Sequence, residues 1–128
     1  DAHGKNFGFL LAAGAQARLA PLYDVASFLP YEKPHHERKT RMAMKIGGEY
    51  QWWKIAPRHW ARAAKEWKMD QARVFARILD IAKKVPGAVA TTRAALASDG
   101  VGLTEGIARI EDGILKTSAT AAALFDQA

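Results

Sequence analysis

Asp1 and Asn6 stand five positions apart with His3 between them, and Asp24 closes the apolar segment Leu19-Ala20-Pro21-Leu22-Tyr23. Two carboxylates and a carboxamide are what phosphoryl transfer asks of a protein. One Asp accepts or orients the proton of the attacking hydroxyl. An Asn and a second Asp offer hard oxygen donors, which suit Mg²⁺. The same residue types are common turn formers, so spacing alone is equally compatible with ordinary loop chemistry.

Two short apolar runs lie between Asn6 and Asp24 and must set their separation. Phe7 to Ala12 reads as a buried strand, Gly14-Ala15-Gln16 as a turn, and Ala17-Arg18-Leu19 as the returning strand. Such a β-hairpin brings its two flanks, and hence the polar groups on them, to one mouth. Pro21 to Tyr31 is mixed, with a short helical turn expected at Asp24–Phe28. Glu32 to Arg41 is polar, contains Pro34 and lacks apolar periodicity, which predicts an exposed, mobile loop. Met42 to Gly48 predicts an extended segment ending in a glycine turn.

Helical patterning begins at Pro57, a residue suited to a first helical position. Trp60, Ala64 and Trp67 share one face, with Arg58, Arg62, Lys65 and Lys68 on others. Asp70 is the expected N-cap of the next helix, in which Val74, Ile78, Ile81 and Val85 form an apolar stripe. Pro86-Gly87 is expected to break or kink that helix, with Ala88 to Ala97 continuing it. A loop at 98–102 leads to a last helix from Thr104 to Phe125, with Ile107, Ile110, Ile114 and Leu115 on one side. The expected fold class is mainly α, with a small β-hairpin near the N-terminus. The chain reads as one domain over 1–128, in which residues 1–50 carry the loops and hairpin and 57–128 a helical bundle.

At 128 residues the chain is long enough to bury a core. It has no cysteine, which excludes disulfides and thiolate metal sites and suits the cytoplasm. No apolar run is long enough to span a bilayer, so no membrane partner is expected. The net charge of +6 is unevenly spread: residues 31–84 hold fourteen basic and six acidic side chains, while residues 85–128 hold three basic and five acidic. A basic midsection can meet phosphates or an acidic partner, or it can be a solvated face.

Other constellations carry less. His35-His36 has no third ligand at useful spacing, even with His59. Trp52, Trp53, Trp60 and Trp67 lie among basic residues, as in stacking platforms for single-stranded nucleic acid. Trp60 and Trp67, seven apart, fit a helix core better, and Trp52 and Trp53 cannot both face inward. Gly47-Gly48 lacks the G-x-x-x-x-G-K-[ST] context of a phosphate loop and reads as a turn.

Asp1 to Asn6 has the D-x-x-x-x-N form of a kinase catalytic loop, with the metal-binding Asp arriving later. His3 stands where protein kinases usually carry Lys and aminoglycoside-type phosphotransferases carry His. The longer strings Asp-Ala-His-Gly-Lys-Asn-Phe, Arg-Leu-Ala-Pro-Leu-Tyr-Asp, Met-Ala-Met-Lys-Ile-Gly-Gly and Pro-Arg-His-Trp together resemble the C-terminal part of HipA-type serine/threonine kinases, the toxins of bacterial type II toxin–antitoxin pairs. The resemblance is dense from Asp1 to about Lys68 and looser beyond.

The resemblance implies the helical C-lobe of a protein-kinase-like fold. It implies Asp1 as the catalytic aspartate, Asn6 and Asp24 as Mg²⁺ ligands, and His3 and Lys5 as loop residues that orient Asp1 or meet phosphate. ATP and Mg²⁺ would be the cofactors. The implied partners are a helix-turn-helix antitoxin of the HipB type, operator DNA reached through it, and a protein substrate, which in the family includes an aminoacyl-tRNA synthetase. These 128 residues contain no lobe for the ATP phosphates, so the chain alone is expected to be inactive. Two rivals stand beside the kinase reading: a non-catalytic basic module that binds an antitoxin or nucleic acid, and a small-molecule phosphotransferase using the same site.

Overall fold

The computed structural model describes residues 6–23 and 41–128. The expected turn at Asp24–Phe28 and nearly all of the expected 32–41 loop lie outside the described residues. Within them the chain is mainly helical, with one small antiparallel hairpin near the N-terminus.

The hairpin pairs β1 (Phe9–Ala12) with β2 (Gln16–Leu19), in a register that sets Phe9 opposite Leu19 and Ala12 opposite Gln16. The three-residue loop takes Gly14 and Ala15 to positive φ, +77° and +59°, which reverses the chain within so short a connection. The expectation of a buried strand is corrected here. All eight strand residues are exposed, and Leu11 retains 81% of its surface. A continuous apolar run shows that a strand could be buried on both faces but not what would cover it.

Residues 42–50 fold into a tight turn. Ile46 and Glu49 exchange both backbone hydrogen bonds, at 2.9 and 3.0 Å, around Gly47 and Gly48, whose φ values are +52° and +88°. This is the glycine turn expected at the end of the 42–48 segment. The Met42 N–H donates to the Tyr50 carbonyl, and the Arg41 guanidinium lies 5.1 Å from the centre of the Tyr50 ring. A single 3-10 turn, Trp52–Lys54, follows; both tryptophans are partly exposed and meet edge to face.

Three helices then stack in order, α1 on α2 and α2 on α3. Helix α1 (Pro57–Glu66) starts on Pro57 as expected. The buried His59 supplies its cap, since Nδ1 accepts the Ala56 N–H at 3.1 Å. Ala63 and Ala64 are the most buried of the described residues and let α1 approach α2 closely. Trp67 does not join this core: it keeps 51% of its surface and meets Trp60 edge to face. The helix has ended before Trp67, so the seven-residue spacing no longer places both rings on one buried face.

Helix α2 (Gln71–Ser98) begins at Asp70, whose carboxylate accepts the Arg73 N–H at 2.7 Å. It runs unbroken past Pro86, which corrects the expected break. Residues on both sides of the proline pack on α3, and this packing offsets the one backbone bond that the proline lacks. The buried stripe runs through Val74 and Ala82; Ile81 lies off it and is half exposed. The end is a Schellman motif: Gly100 sits at φ +76°, its N–H donates to the Ala97 carbonyl, and the Val101 N–H reaches the Leu96 carbonyl.

Helix α3 (Glu105–Phe125) is capped by the Thr104 hydroxyl and folds back antiparallel to α2. Phe75 meets Phe125 edge to face at one end, and Arg93 pairs with Glu111 at 3.3 Å toward the other. Ser118 and Phe125 are its buried residues, whereas Ile110 and Ile114 each remain 38% exposed.

Candidate active site

Of the five residues that sequence reasoning assigns to the site, Asn6 is described. Asp1, His3, Lys5 and Asp24 lie outside the described residues. Asn6 is buried, with 6% of its surface exposed, and it is one of only three buried polar residues among the described ones. A buried carboxamide is held by partners rather than free in solvent, which gives its oxygen a fixed direction.

The hairpin ties the chain near Asn6 to the chain near Asp24. Past the last ladder pair, Phe9 with Leu19, the Ala20 N–H donates to the Gly8 carbonyl at 2.8 Å. One step further out, the Tyr23 ring lies over Gly8: a Cβ built on Gly8 would stand 3.7 Å from Tyr23 Cε1 and 3.8 Å from its hydroxyl. Gly8 is two residues after Asn6, and Tyr23 immediately precedes Asp24. The expected role of the hairpin, closing its two flanks on each other, is therefore seen as far as Gly8 and Tyr23.

Residues 1–89 match the family model of the HipA-like C-terminal domain. The chain belongs to this family. The matched span includes Asp1, Asn6 and Asp24, the turn at 47–48, helix α1 and the first part of α2. Helix α3 lies beyond it.

The rest of the described surface offers no rival for phosphoryl chemistry. The grooves beside the α2–α3 contact are lined by apolar residues such as Val85, Val89, Ile110 and Leu115, and the charged groups in them, Arg93 and Glu111, neutralise each other. Among the described residues no group of three or more His, Cys, Asp or Glu side chains could hold a metal ion. His59 is committed as the cap acceptor of α1. No helix among the described residues is long and apolar enough to cross a membrane.

Sequence reasoning missed Tyr23 and Gly8 as site neighbours. The signal was present in their positions, each within two residues of a candidate ligand. Nothing in the residue types, however, says that the Tyr23 ring turns back onto Gly8.

Proposed function

We propose that this HipA-like domain supplies the acceptor-activating and Mg²⁺-holding half of an ATP-dependent kinase that phosphorylates a Ser or Thr hydroxyl of a protein. The observation that carries the reading is the buried Asn6 at the root of a hairpin whose opposite flank, through Tyr23, leads into Asp24. A carboxamide oxygen and a carboxylate form a hard-oxygen donor pair that fits Mg²⁺. When bound, Mg·ATP supplies the phosphoryl group.

In this reading Asp1 orients the acceptor hydroxyl and takes its proton. Asn6 and Asp24 hold the metal. His3 steadies Asp1, and Lys5 faces phosphate. The protein acts in the cytoplasm as the toxin of a toxin–antitoxin pair, with a HipB-type helix-turn-helix antitoxin as partner and DNA reached through it. The 128 residues taken alone do not transfer phosphate, because the turn at 47–48 is occupied by packing on α1 and no other glycine-rich phosphate cradle is present in the sequence.

The test is phosphate transfer from labelled ATP to protein by the complete gene product with Mg²⁺. Asp1→Asn is expected to lower the rate by about 10²–10⁴-fold, with comparable losses for Asn6→Ala and Asp24→Asn. Full activity in Asp1→Asn would overturn the reading. Activity of the 128-residue chain alone would overturn its predicted dependence on a nucleotide-holding lobe.

A second reading, a non-catalytic module for an acidic partner or nucleic acid, is favoured by exposed Arg58 and Lys65 on α1 and Lys54 in the turn before it. It predicts no phosphate transfer by the complete protein and binding that weakens with added salt.

A further inference from the structure

We propose that the open face of the α2–α3 pair docks on the same face of a second copy of this chain, forming an antiparallel four-helix bundle. The proposal is independent of the kinase reading. Most of the face lies beyond residue 89, where the match to the HipA-like C-terminal domain ends.

The two helices lack a core over most of their length. Their buried residues are Val74, Ala82, Ser118 and Phe125, at the start of α2 and the end of α3. From Lys83 through Thr117 not one residue is buried. That stretch is nevertheless rich in aliphatic side chains. Val85, Ala88 and Leu96 of α2 and Ile107, Ile110 and Ile114 of α3 line one groove along it. A helix in water draws most of its stability from packing its apolar face. Two helices alone leave this face uncovered, whereas four helices in a bundle enclose it.

Two features select a second copy as the occupant. The first is the charge inside the groove. Arg93 and Glu111 pair with each other at 3.3 Å across the line where the helices meet, so the groove holds no unbalanced charge for a partner of either sign to neutralise. The second is the polarity of the helix pair. Residues 71–84 and 116–128, at one end, hold five basic and two acidic side chains, whereas residues 85–115, toward the other, hold two basic and four acidic. A twofold axis across the middle of the groove sets the basic end of each copy against the acidic end of the other. It also brings the large residues at one end, Val85 and Ile114, toward those at the other, Leu96 and Ile107. Such an isologous interface needs only one self-complementary patch and closes at two copies. A parallel pairing would instead set basic end on basic end.

Sedimentation equilibrium of the 128-residue chain should give twice its 14.0 kDa, with dissociation on dilution. Ile110→Lys places a charge at the centre of the face and should weaken self-association by at least about 100-fold. Ala94→Glu, in the groove on the opposite side of the helix pair, should leave it unchanged. The chain has no cysteine, so single-cysteine variants carry one nitroxide each. The two labels of a Thr91→Cys dimer, beside the axis, should lie level with each other. Those of an Arg73→Cys dimer should be displaced by about 50 Å along the bundle, from the helical rise of about 1.5 Å per residue.

A chain that stays monomeric at about 100 μM overturns the proposal. So does a dimer that survives Ile110→Lys, or one that Ala94→Glu dissociates. Equal label separations at positions 73 and 91 mark a parallel pair and overturn it as well. A complete gene product that stays monomeric rules out the second copy, whether or not another segment of the same polypeptide then covers the face. Should Ile110→Lys unfold the helix pair, the label separations, measured with the face intact, still decide.

Discussion

The His59 carbonyl oxygen sits where a side chain on Gly47 would have to be: a Cβ built there would lie 2.0 Å from it. Gly47 is also at φ +52° and gives its own carbonyl to Arg62 Nη1 at 3.1 Å. The glycine turn is thus clamped directly onto the first turns of α1. Gly47→Ala is expected to destabilise the chain by roughly 2–4 kcal/mol, since the obstruction is His59 backbone and cannot swing aside. Gly48 differs. It too has positive φ, but its Cβ would meet the end of the Arg62 side chain at 3.2 Å, which can move. Gly48→Ala should cost about 1 kcal/mol. Urea midpoints of the two variants check the order, and equal losses would refute the clamp.

The neighbouring Glu49 makes the same turn sensitive to acid. Its carboxylate accepts the Gln51 and Tyr50 N–H groups, each at 2.8 Å. The Gln51 bond, opposed by desolvation and reinforced by the Tyr50 bond and the charges of Lys54 and His59, lowers its pKa below the ordinary 4.5. A carboxylate with a depressed folded-state pKa contributes stability above its unfolded value and loses it as pH falls through the folded value. Wild type should therefore lose melting temperature relative to Glu49→Gln as pH drops from about 6 to about 3. Parallel curves for the two proteins would show that the turn does not depend on this charge.

Punctuation residues made much of this fold legible in the sequence. Pro57 marks the start of α1, Asp70 and Thr104 cap α2 and α3, and Gly100 ends α2, each through local chemistry that needs no tertiary context. What depends on neighbours was not legible. The run from Phe9 to Leu11 has the composition of a buried strand yet is exposed, and Ile81 falls in helical step with Val74 yet faces solvent. The spacing of His59 suggests no role for it, whereas its ring caps α1, because only the fold brings the Ala56 N–H to Nδ1. In the candidate site, residue types and spacing pointed to Asn6. The coupling of Tyr23 to Gly8 came from a ring direction that spacing does not encode.

The junction between α1 and α2 holds a residue that local chemistry would not choose. Lys68 sits at φ +56°, in the left-handed region, while the Met69 N–H reaches back to the Ala64 carbonyl and the Lys68 N–H to that of Lys65. This is a Schellman ending with lysine where glycine is usual. Lys68→Gly should stabilise the chain by about 0.5–1 kcal/mol, because the relieved strain exceeds the added freedom of the unfolded chain. Two residues on, Asp70→Ala removes the cap on the Arg73 N–H and should cost about 1 kcal/mol. Thermal melts of the two single variants should move in opposite directions. A lower melting temperature for Lys68→Gly would mean that the lysine side chain contributes more than its backbone costs.

Pro86 poses the opposite question, since it lies inside α2 and denies the Ala82 carbonyl its helical donor. An interior proline costs a helix about 3 kcal/mol relative to alanine, and part of that returns because proline also restricts the unfolded chain. Pro86→Ala is therefore expected to stabilise the chain by about 2 kcal/mol, with an unchanged denaturant m-value. The gain requires that α2 already follows the path a regular helix would take against α3. If the proline instead bends α2 to match its partner, straightening it would draw Val89 and Arg93 away from Leu115 and Glu111, which line the far side of the same groove. In that case Pro86→Ala would lower stability, and Arg93→Ala would cost less in the Pro86→Ala background than in wild type. A double-mutant cycle on those two positions separates a tolerated proline from one that shapes the helix.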